Sequence, residues 1–554
     1  MRDTPTTRMI LLLVVTAICL SGLSNAGFAW DDYALVRDNA YTDDFSNWRV
    51  FFSADLWETT RLPVPPSGYY RPLFLLSLTL DRALFDLNPA GHHWHSILWH
   101  LGCVSLLYVL VKRLLHTPGA LVAAIIFALH PVQHETTALL AARNDSMAAF
   151  FTLATLLVFL EKSASARRLI VGGVLFFLAL LSKESALLVP LILACLDWAR
   201  WGKLGQKRRF SVLLAGAIGM VALRAAVDVS SAEWPDPNEW STLFKASPEV
   251  AGTYLGMLFW PWPLTPARHI HYLQPLSALW PFLVLGLVGF FLLVHKGKNR
   301  SLVWVGLLWA AFSFAPSIFA TLDKGTLGER YLYLPMAGLC LSIAAALPQS
   351  KKVLAVIALL GLAGGGAMYQ RNGDWDDSAT LWRSAYASYP SAYTAGGLAW
   401  YVEHIEENLE GARELYIEAL EEDPPYREVC TSVILLHLKL NRPESAAKLA
   451  EWGHRERGCP LDPMFVDQYL ISLAQSAQWE KAEREIASRP KGVSAVGMTI
   501  LAARSAKKRD VQGIQNLMQQ WKESFPLLPE VYKLLKKSGD YQSAEWVKAG
   551  TSQP

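Results

Sequence analysis

The sequence is short of charge. Only 18% of its 554 residues are Asp, Glu, Lys or Arg, and 52% are hydrophobic, whereas an ordinary soluble protein is about 25% charged. The deficit excludes a conventional soluble enzyme and a disordered regulator, and it points to a chain that lives partly in lipid. An excess of either sign is also missing: 51 basic against 48 acidic residues leave +3, which gives no electrostatic reason for a nucleic-acid partner. Cysteine is scarce, six in all without a Cys-x-x-Cys pair, and this excludes a small disulfide scaffold. Cys19, Cys103, Cys195 and Cys340 fall in apolar runs and read as small buried hydrophobes. Cys430 and Cys459 lie in a polar stretch, where a bridge is compatible only with a location outside the cytoplasm. The charge that is present is uneven, about 26% of residues 371–554 but about 14% of residues 1–370. The chain therefore reads as two domains in series: a membrane domain over 1–370, with residues 28–92 as its first outer loop, and a soluble domain over 371–554.

A bilayer core needs roughly 20 apolar residues per helix. Eleven such runs lie near 9–27, 93–113, 119–138, 146–161, 169–182, 185–200, 210–227, 278–295, 302–320, 331–348 and 352–369. A shorter run at 249–262, ending in Trp260-Pro261-Trp262-Pro263, reads as a re-entrant or interfacial helix. Cytoplasmic loops retain Lys and Arg. With the amino terminus inside, Lys112-Arg113, Lys162 with Arg167-Arg168, the cluster from Arg200 to Arg209, that from Lys296 to Arg300, and Lys351-Lys352 all become cytoplasmic. The odd span count puts residues 371–554 on the opposite side.

That second domain shows short helical patterns broken by Pro and Gly. Ala379, Ala412, Ala446, Ala482, Gly513 and Ala544 recur in similar contexts at intervals of 31 to 36 residues. Such a period is the mark of helix pairs that can bury a face only by stacking on the next pair, as in tetratricopeptide repeats. An α-solenoid of this kind presents a concave groove suited to holding a peptide or protein.

Against the apolar background, ionisable groups recur near the outer ends of the spans, where they are expensive and mark a substrate path. Trp30-Asp31-Asp32-Tyr33 follows span one. Tyr69-Tyr70-Arg71-Pro72 closes the first loop. His130-Pro131-Val132-Gln133-His134-Glu135 and Ala142-Arg143-Asn144-Asp145 flank the junction of spans three and four, Lys183-Glu184 separates spans five and six, and Gly328-Glu329-Arg330-Tyr331 opens span ten. Taken singly, Glu329-Arg330 and Lys183-Glu184 also read as local ion pairs, and His93 and His100 as one face of a helix. His130 and His134 do not make a His-Glu-x-x-His zinc motif. Together, a carboxylate pair and several arginines suit a reaction on a lipid phosphate, with Asp as base and Arg as clamp on the leaving phosphate.

The succession Trp-Asp-Asp, Tyr-Arg-Pro-Leu, His93 with His100, His-Pro-Val-x-x-Glu, Arg-x-Asp, Lys-Glu and Glu-Arg-x-Leu-Tyr-Leu-Pro, followed by repeats, resembles the transmembrane and tetratricopeptide-repeat O-mannosyltransferases. The resemblance covers nearly the whole chain. It implies an all-α fold: a polytopic GT-C glycosyltransferase domain of about eleven transmembrane helices, then a tetratricopeptide-repeat solenoid. It implies inverting transfer of a sugar from a polyprenyl-phosphate donor to a hydroxyl, with no cofactor or metal required. The expected setting is a bacterial inner membrane or the endoplasmic reticulum, with active site and repeats on the periplasmic or lumenal side and a protein acceptor engaged by the repeats. Carried over by motif, Asp31 and Asp32 are the catalytic pair and Arg330, Arg143 and Arg71 the donor-phosphate residues. Tyr70, His93, His130, Glu135, Asp145, Lys183, Glu184 and Glu329 support them. The chain has Ala-Arg-Asn-Asp at 142–145 where the animal proteins usually have Gly-Arg-Ala-Asp. Alternative readings are transfer to a lipid-linked glycan or cell-surface polymer, and a transporter that moves such a lipid without chemistry.

Overall fold

The computed structural model describes residues 4–60, 67–162, 164–227, 237–259, 261, 263–270, 299–421, 427–488, 494–520 and 527–550. They are mostly helical, in two compact units, residues 1–389 and 390–554. The boundary falls beyond the expected 370 because the segment after the last apolar helix packs into the first unit. Gly27 N–H donates to the Asp376 carbonyl (2.8 Å) and Trp30 N–H to Ser378 Oγ (2.9 Å). Trp375 and Leu381 join Leu23, Phe28, Phe51 and Phe74 in one core.

The first unit holds α1 (Pro5–Leu20), α2 (Pro72–Phe85), α3 (Pro89–Leu129), α4 (Arg143–Phe159), α5 (Ala166–Ser182), α6 (Val189–Trp201), α7 (Lys207–Ala226), α8 (Pro237–Phe259), α9 (Arg300–Lys324), α10 (Tyr333–Ala346), α11 (Lys351–Arg371) and α12 (Ser378–Ser388). Local chemistry sets their starts: Thr4, Asn88, Ser165 and Ser350 each cap the helix that follows by accepting a backbone N–H. The long α3 joins two of the expected runs across a break at His116, whose φ is 67°. Cys103, Leu107, Phe127, Leu156, Phe176 and Trp309 form the main core, while Ile170, Leu214, Ile218, Leu359 and Leu360 stay exposed on the outside of the bundle, the pattern of helices whose solvent is lipid. Helices α9 and α10 approach so closely at Gly306 and Gly338 that a Cβ on Gly306 would lie 2.5 Å from the Gly338 carbonyl oxygen.

Five stretches among the described residues are long and apolar enough to cross a membrane: Pro5–Asn25, Pro89–Leu129, Lys207–Ala226, Arg300–Ile318 and Lys351–Trp375. Four more expected runs form shorter helices, α4 and α5 of 17 residues, α10 of 14 and α6 of 13. Three of these are preceded by 3-10 turns, Leu140–Ala142, Glu184–Leu188 and Glu329–Leu332. Ionisable residues at the helix starts have displaced regular helix there, which is tolerated at membrane depth where backbone lines a cavity. The run at 278–295 lies outside the described residues. That at 249–262 contributes the end of α8, whose Val250, Tyr254 and Met257 pack with Val132, Leu264 and Leu332. A two-residue antiparallel ladder, β1 (Arg268–His269) with β2 (Thr326–Leu327), closes this side.

The described residues of the second unit form five successive helix pairs: α13 (Ala392–His404) with α14 (Leu409–Glu421), α15 (Arg427–Lys439) with α16 (Pro443–Arg457), α17 (Pro463–Gln475) with α18 (Trp479–Ala487), α19 (Ala495–Lys507) with α20 (Val511–Gln520), and α21 (Leu527–Lys537) with α22 (Tyr541–Gly550). Ala379 falls in α12 of the first unit; the other recurrent small residues fall near the starts of the second helices, and Ala412, Ala446, Ala482 and Ala544 are wholly buried there. The first helices α15, α17, α19 and α21 pack side by side in order. Cys430 and Cys459 are disulfide-bonded, with Cα atoms 6.0 Å apart.

Candidate active site

The ionisable motifs converge on one cavity of about 280 Å³ in the first unit. Trp30 and Asp31, Tyr69 and Arg71, Asn144 and Asp145, Lys183 and Glu184, and Arg330 and Tyr331 all line it. Segments hundreds of residues apart meet because each is the same end of an apolar helix.

The two aspartates do different things. Asp31 faces the cavity, and its carboxylate has no hydrogen-bond or ion-pair partner among the described residues. Burial raises its pKa; Arg330 opposes that shift and Glu135 adds to it. Asp32 is wholly buried, and its carboxylate accepts N–H groups from Ala141 (2.8 Å) and Ala29 (3.4 Å). It ties the Trp30-Asp31 turn to the turn that leads into α4, whose first residues include Asn144 and Asp145. Burial nevertheless pushes its pKa up to about 7, against those backbone donors. The turn is strained as well as tied, since Trp30 has φ of 53°, a conformation costing roughly 1–2 kcal/mol for an L residue.

Three cations line the cavity with Asp31, each held by a carboxylate from another element. Arg330 pairs with Glu135, whose Oε2 also accepts the Arg330 backbone N–H at 3.1 Å. Arg71 grips Glu184 at 2.8 and 3.4 Å, and Lys183 meets Asp145 at 2.6 Å. Aromatic faces fix their heads: Arg71 lies 4.4 Å from the Tyr69 ring centre, Arg330 5.0 Å from Tyr331 and 5.7 Å from Trp30, and Lys183 5.3 Å from Tyr331. Arg71 together with Lys183 holds Glu184 down to about 2 despite its burial. Arg330 differs from Arg71 in donating to its carboxylate through a single guanidinium nitrogen, where Arg71 uses two.

The structure does not bring every expected residue here. Arg143 is wholly buried in an ion pair with Asp81, and donates to Ser96 Oγ and the His92 carbonyl, each at 2.9 Å; its guanidinium joins α2, α3 and α4 away from the cavity. Tyr70 is buried, donating to the Phe52 carbonyl at 3.0 Å. His93 bonds the Gly27 carbonyl and His130 that of Leu258, both at 3.0 Å, and both hold backbone. Glu329 pairs with Arg371 at 2.9 and 3.0 Å, so neither Glu329-Arg330 nor Lys183-Glu184 is a local pair. Tyr69, Tyr331 and Trp30 were missed as wall residues. In the extended stretch before α2, alternate side chains face opposite ways, so Tyr69 and Arg71 share a side that Tyr70 does not. Among the described residues no group of three or more His, Cys, Asp or Glu side chains is placed to hold a metal ion.

The sequence and fold thus define a polytopic helical protein with a charged cavity at the shared ends of its helices. Residues 69–226 match the family model described as dolichyl-phosphate-mannose-protein mannosyltransferase. The chain is 23% identical over 490 residues to the Homo sapiens protein O-mannosyl-transferase TMTC3, covering 79% of this chain and 53% of that one. It is 25% identical over 414 residues to the Caenorhabditis elegans protein O-mannosyl-transferase F38B6.6, covering 69% and 58%. The chain spans about half the length of these curated relatives. The chain is thus similar to proteins named as protein O-mannosyl-transferases, the resemblance that its motifs carry. Among solved structures, ArnT from Cupriavidus metallidurans bound to undecaprenyl phosphate aligns with a TM-score of 0.38 and 16% identity, over 81% of this chain and 80% of that one.

Proposed function

We propose that the chain is an integral-membrane glycosyltransferase of the GT-C type. It moves a hexose such as mannose from a polyprenyl-phosphate donor to a hydroxyl, that of Ser or Thr in a secreted or membrane protein, with inversion. The amino terminus is cytoplasmic, eleven helices span the membrane, and the cavity and the tetratricopeptide-like second unit lie on the periplasmic or lumenal side. The observation that carries the reading is the pairing of a partnerless carboxylate, Asp31, with a cation of open hydrogen-bonding capacity, Arg330, in one cavity.

In this reading Asp31 takes the proton of the acceptor hydroxyl as its oxygen attacks the anomeric carbon, and the bond from that carbon to the lipid phosphate breaks. The departing phosphate meets Arg330, with Arg71 and Lys183 beside it. Glu135, Glu184 and Asp145 keep these cations aimed before the donor arrives, so little reorganisation remains for the reaction itself. Arg330, Arg71 and Lys183 offer the leaving phosphate the N–H donors that their carboxylates leave open. The test is transfer of radiolabelled mannose from polyprenyl-phosphate mannose by purified protein. Label on an acceptor hydroxyl is expected. Movement of the labelled lipid between vesicle leaflets without transfer overturns the enzyme reading.

A further inference from the structure

The second unit carries its own groove, of about 440 Å³, along the first helices of four consecutive pairs. Each helix presents one stripe to it: Leu435 and Leu438 on α15, Gln468, Ile471 and Gln475 on α17, Val496 and Ile500 on α19, Glu530, Leu534 and Lys537 on α21. These are the i, i+3, i+4, i+7 spacings that place side chains on one helical face. The floor is apolar yet incompletely covered, since Leu435, Leu438, Ile471 and Val496 are only half-buried. The walls carry cations: Lys439, Lys533 and Lys537 face a single carboxylate, Glu530. Lys533 is paired with Glu530 at 2.6 Å and Lys439 with Glu403, but Lys537 has no ion-pair partner among the described residues. The carboxamides of Gln468 and Gln475 likewise make no hydrogen bond to any described residue.

We infer that this groove binds an extended, acidic polypeptide segment in which apolar side chains alternate with Asp or Glu. In an extended chain successive side chains point to opposite sides. One set can then cover the half-buried floor while carboxylates meet Lys537 and compete for Lys533, and the two glutamines bond the peptide backbone. A helical ligand would leave those backbone groups internally paired and the glutamines idle. The inference deepens the acceptor side of the proposed function and rests on it only for the link to glycosyl transfer.

The test is fluorescence anisotropy of a labelled peptide alternating Glu with Val and Thr, with its Glu-to-Gln counterpart as control, on the full-length protein in detergent. The acidic peptide should bind at least about tenfold more tightly than the neutral one, and the preference should shrink as salt rises. Lys533→Glu with Lys537→Glu should abolish the preference, while Gln468→Ala with Gln475→Ala should weaken both peptides alike. All four changes lie on solvent-facing positions, and an unchanged melting profile confirms folding. Equal binding of the two peptides overturns the inference, as does a preference that survives the charge reversal. Concentration-dependent self-association lost in the same variants assigns the groove to a second copy instead. Asp31→Asn should leave peptide binding untouched, so a failure of the transferase reading shows in the transfer assay alone.

Discussion

The two ends of the apolar unit both bury charge, and they spend it differently. At the end where α4, α6 and α7 meet, Arg209 donates to Asp197 at 2.6 Å and to the carbonyls of Phe159 and Glu161. Asp197 also accepts the Gly205 N–H at 2.7 Å. That cluster pins three helix ends and leaves no carboxylate without a cation, though Arg209 Nε is buried without a partner among the described residues. At the other end the cations are again matched to carboxylates, yet Asp31 has no partner and Arg330 is bound on one edge only. A buried ion pair is weak evidence for stability and none for chemistry. What separates a strut from a reaction site here is the group left over after the pairs are made.

Substitution should sharpen that contrast most at the aspartates. Asp31→Asn is expected to lower transfer by roughly 10²–10⁴-fold with an unchanged melting temperature. Asp32→Asn should instead cost about 1–3 kcal/mol of stability, because an amide cannot accept both backbone N–H groups, with a smaller loss of turnover in the folded fraction. Equal losses of rate and stability in both variants would erase the division between them.

Next in size, Arg143→Ala and Arg209→Ala should each destabilise by about 3–5 kcal/mol, leaving a buried carboxylate without its arginine: Asp81 would keep only His92 and His95, and Asp197 the Gly205 N–H, while surviving protein keeps its donor affinity. Donor titration of the purified folded fraction checks this; a drop in affinity for Arg143→Ala would return that residue to the phosphate site. Arg330→Lys is the converse case. It keeps a charge for Glu135 and hence the fold, but loses the planar fork, so donor affinity should fall by about tenfold at constant stability.

The smallest expected effect is a shift in pH profile. The base must be ionised, so the rate should rise with pH through the pKa of Asp31, at an inflection above the ordinary aspartate value of about 3.9. The Glu135 charge helps to hold that pKa up, so Glu135→Gln should move the inflection down. An upward movement would mean that Asp31 is not the titrating group.

The motifs that meet in the cavity could be found in the sequence because ionisable residues stand out against apolar helices. Their partners could not. Glu329 lies next to Arg330, and Lys183 next to Glu184, yet each reaches across to another element: Arg371, Glu135, Asp145 and Arg71 in turn. Neighbours in a chain diverge around a turn, and the bundle supplies closer company. Arg143 looked like a phosphate ligand for the same reason, since its partner Asp81 sits in α2, a helix too short to register as a span. The repeat period was legible because small residues must recur wherever helix pairs stack. The groove lysines were not, because exposed lysine is common on any helix.

The shortness of α4, α5, α6 and α10 has a mechanical consequence. At 1.5 Å per residue, helices of 13 to 17 residues reach roughly 20–26 Å, less than a hydrocarbon core of about 30 Å. With these helices spanning as proposed, lipid beside them thins to meet them, at a modest cost per ångström. In the proposed reading the leaflet is then dimpled toward the cavity floor, so that a long-chain donor lipid presents its headgroup to Arg330 while its tail remains among its neighbours. The helices that gave up turns to house charged residues would thereby spare the donor most of the work of leaving the membrane.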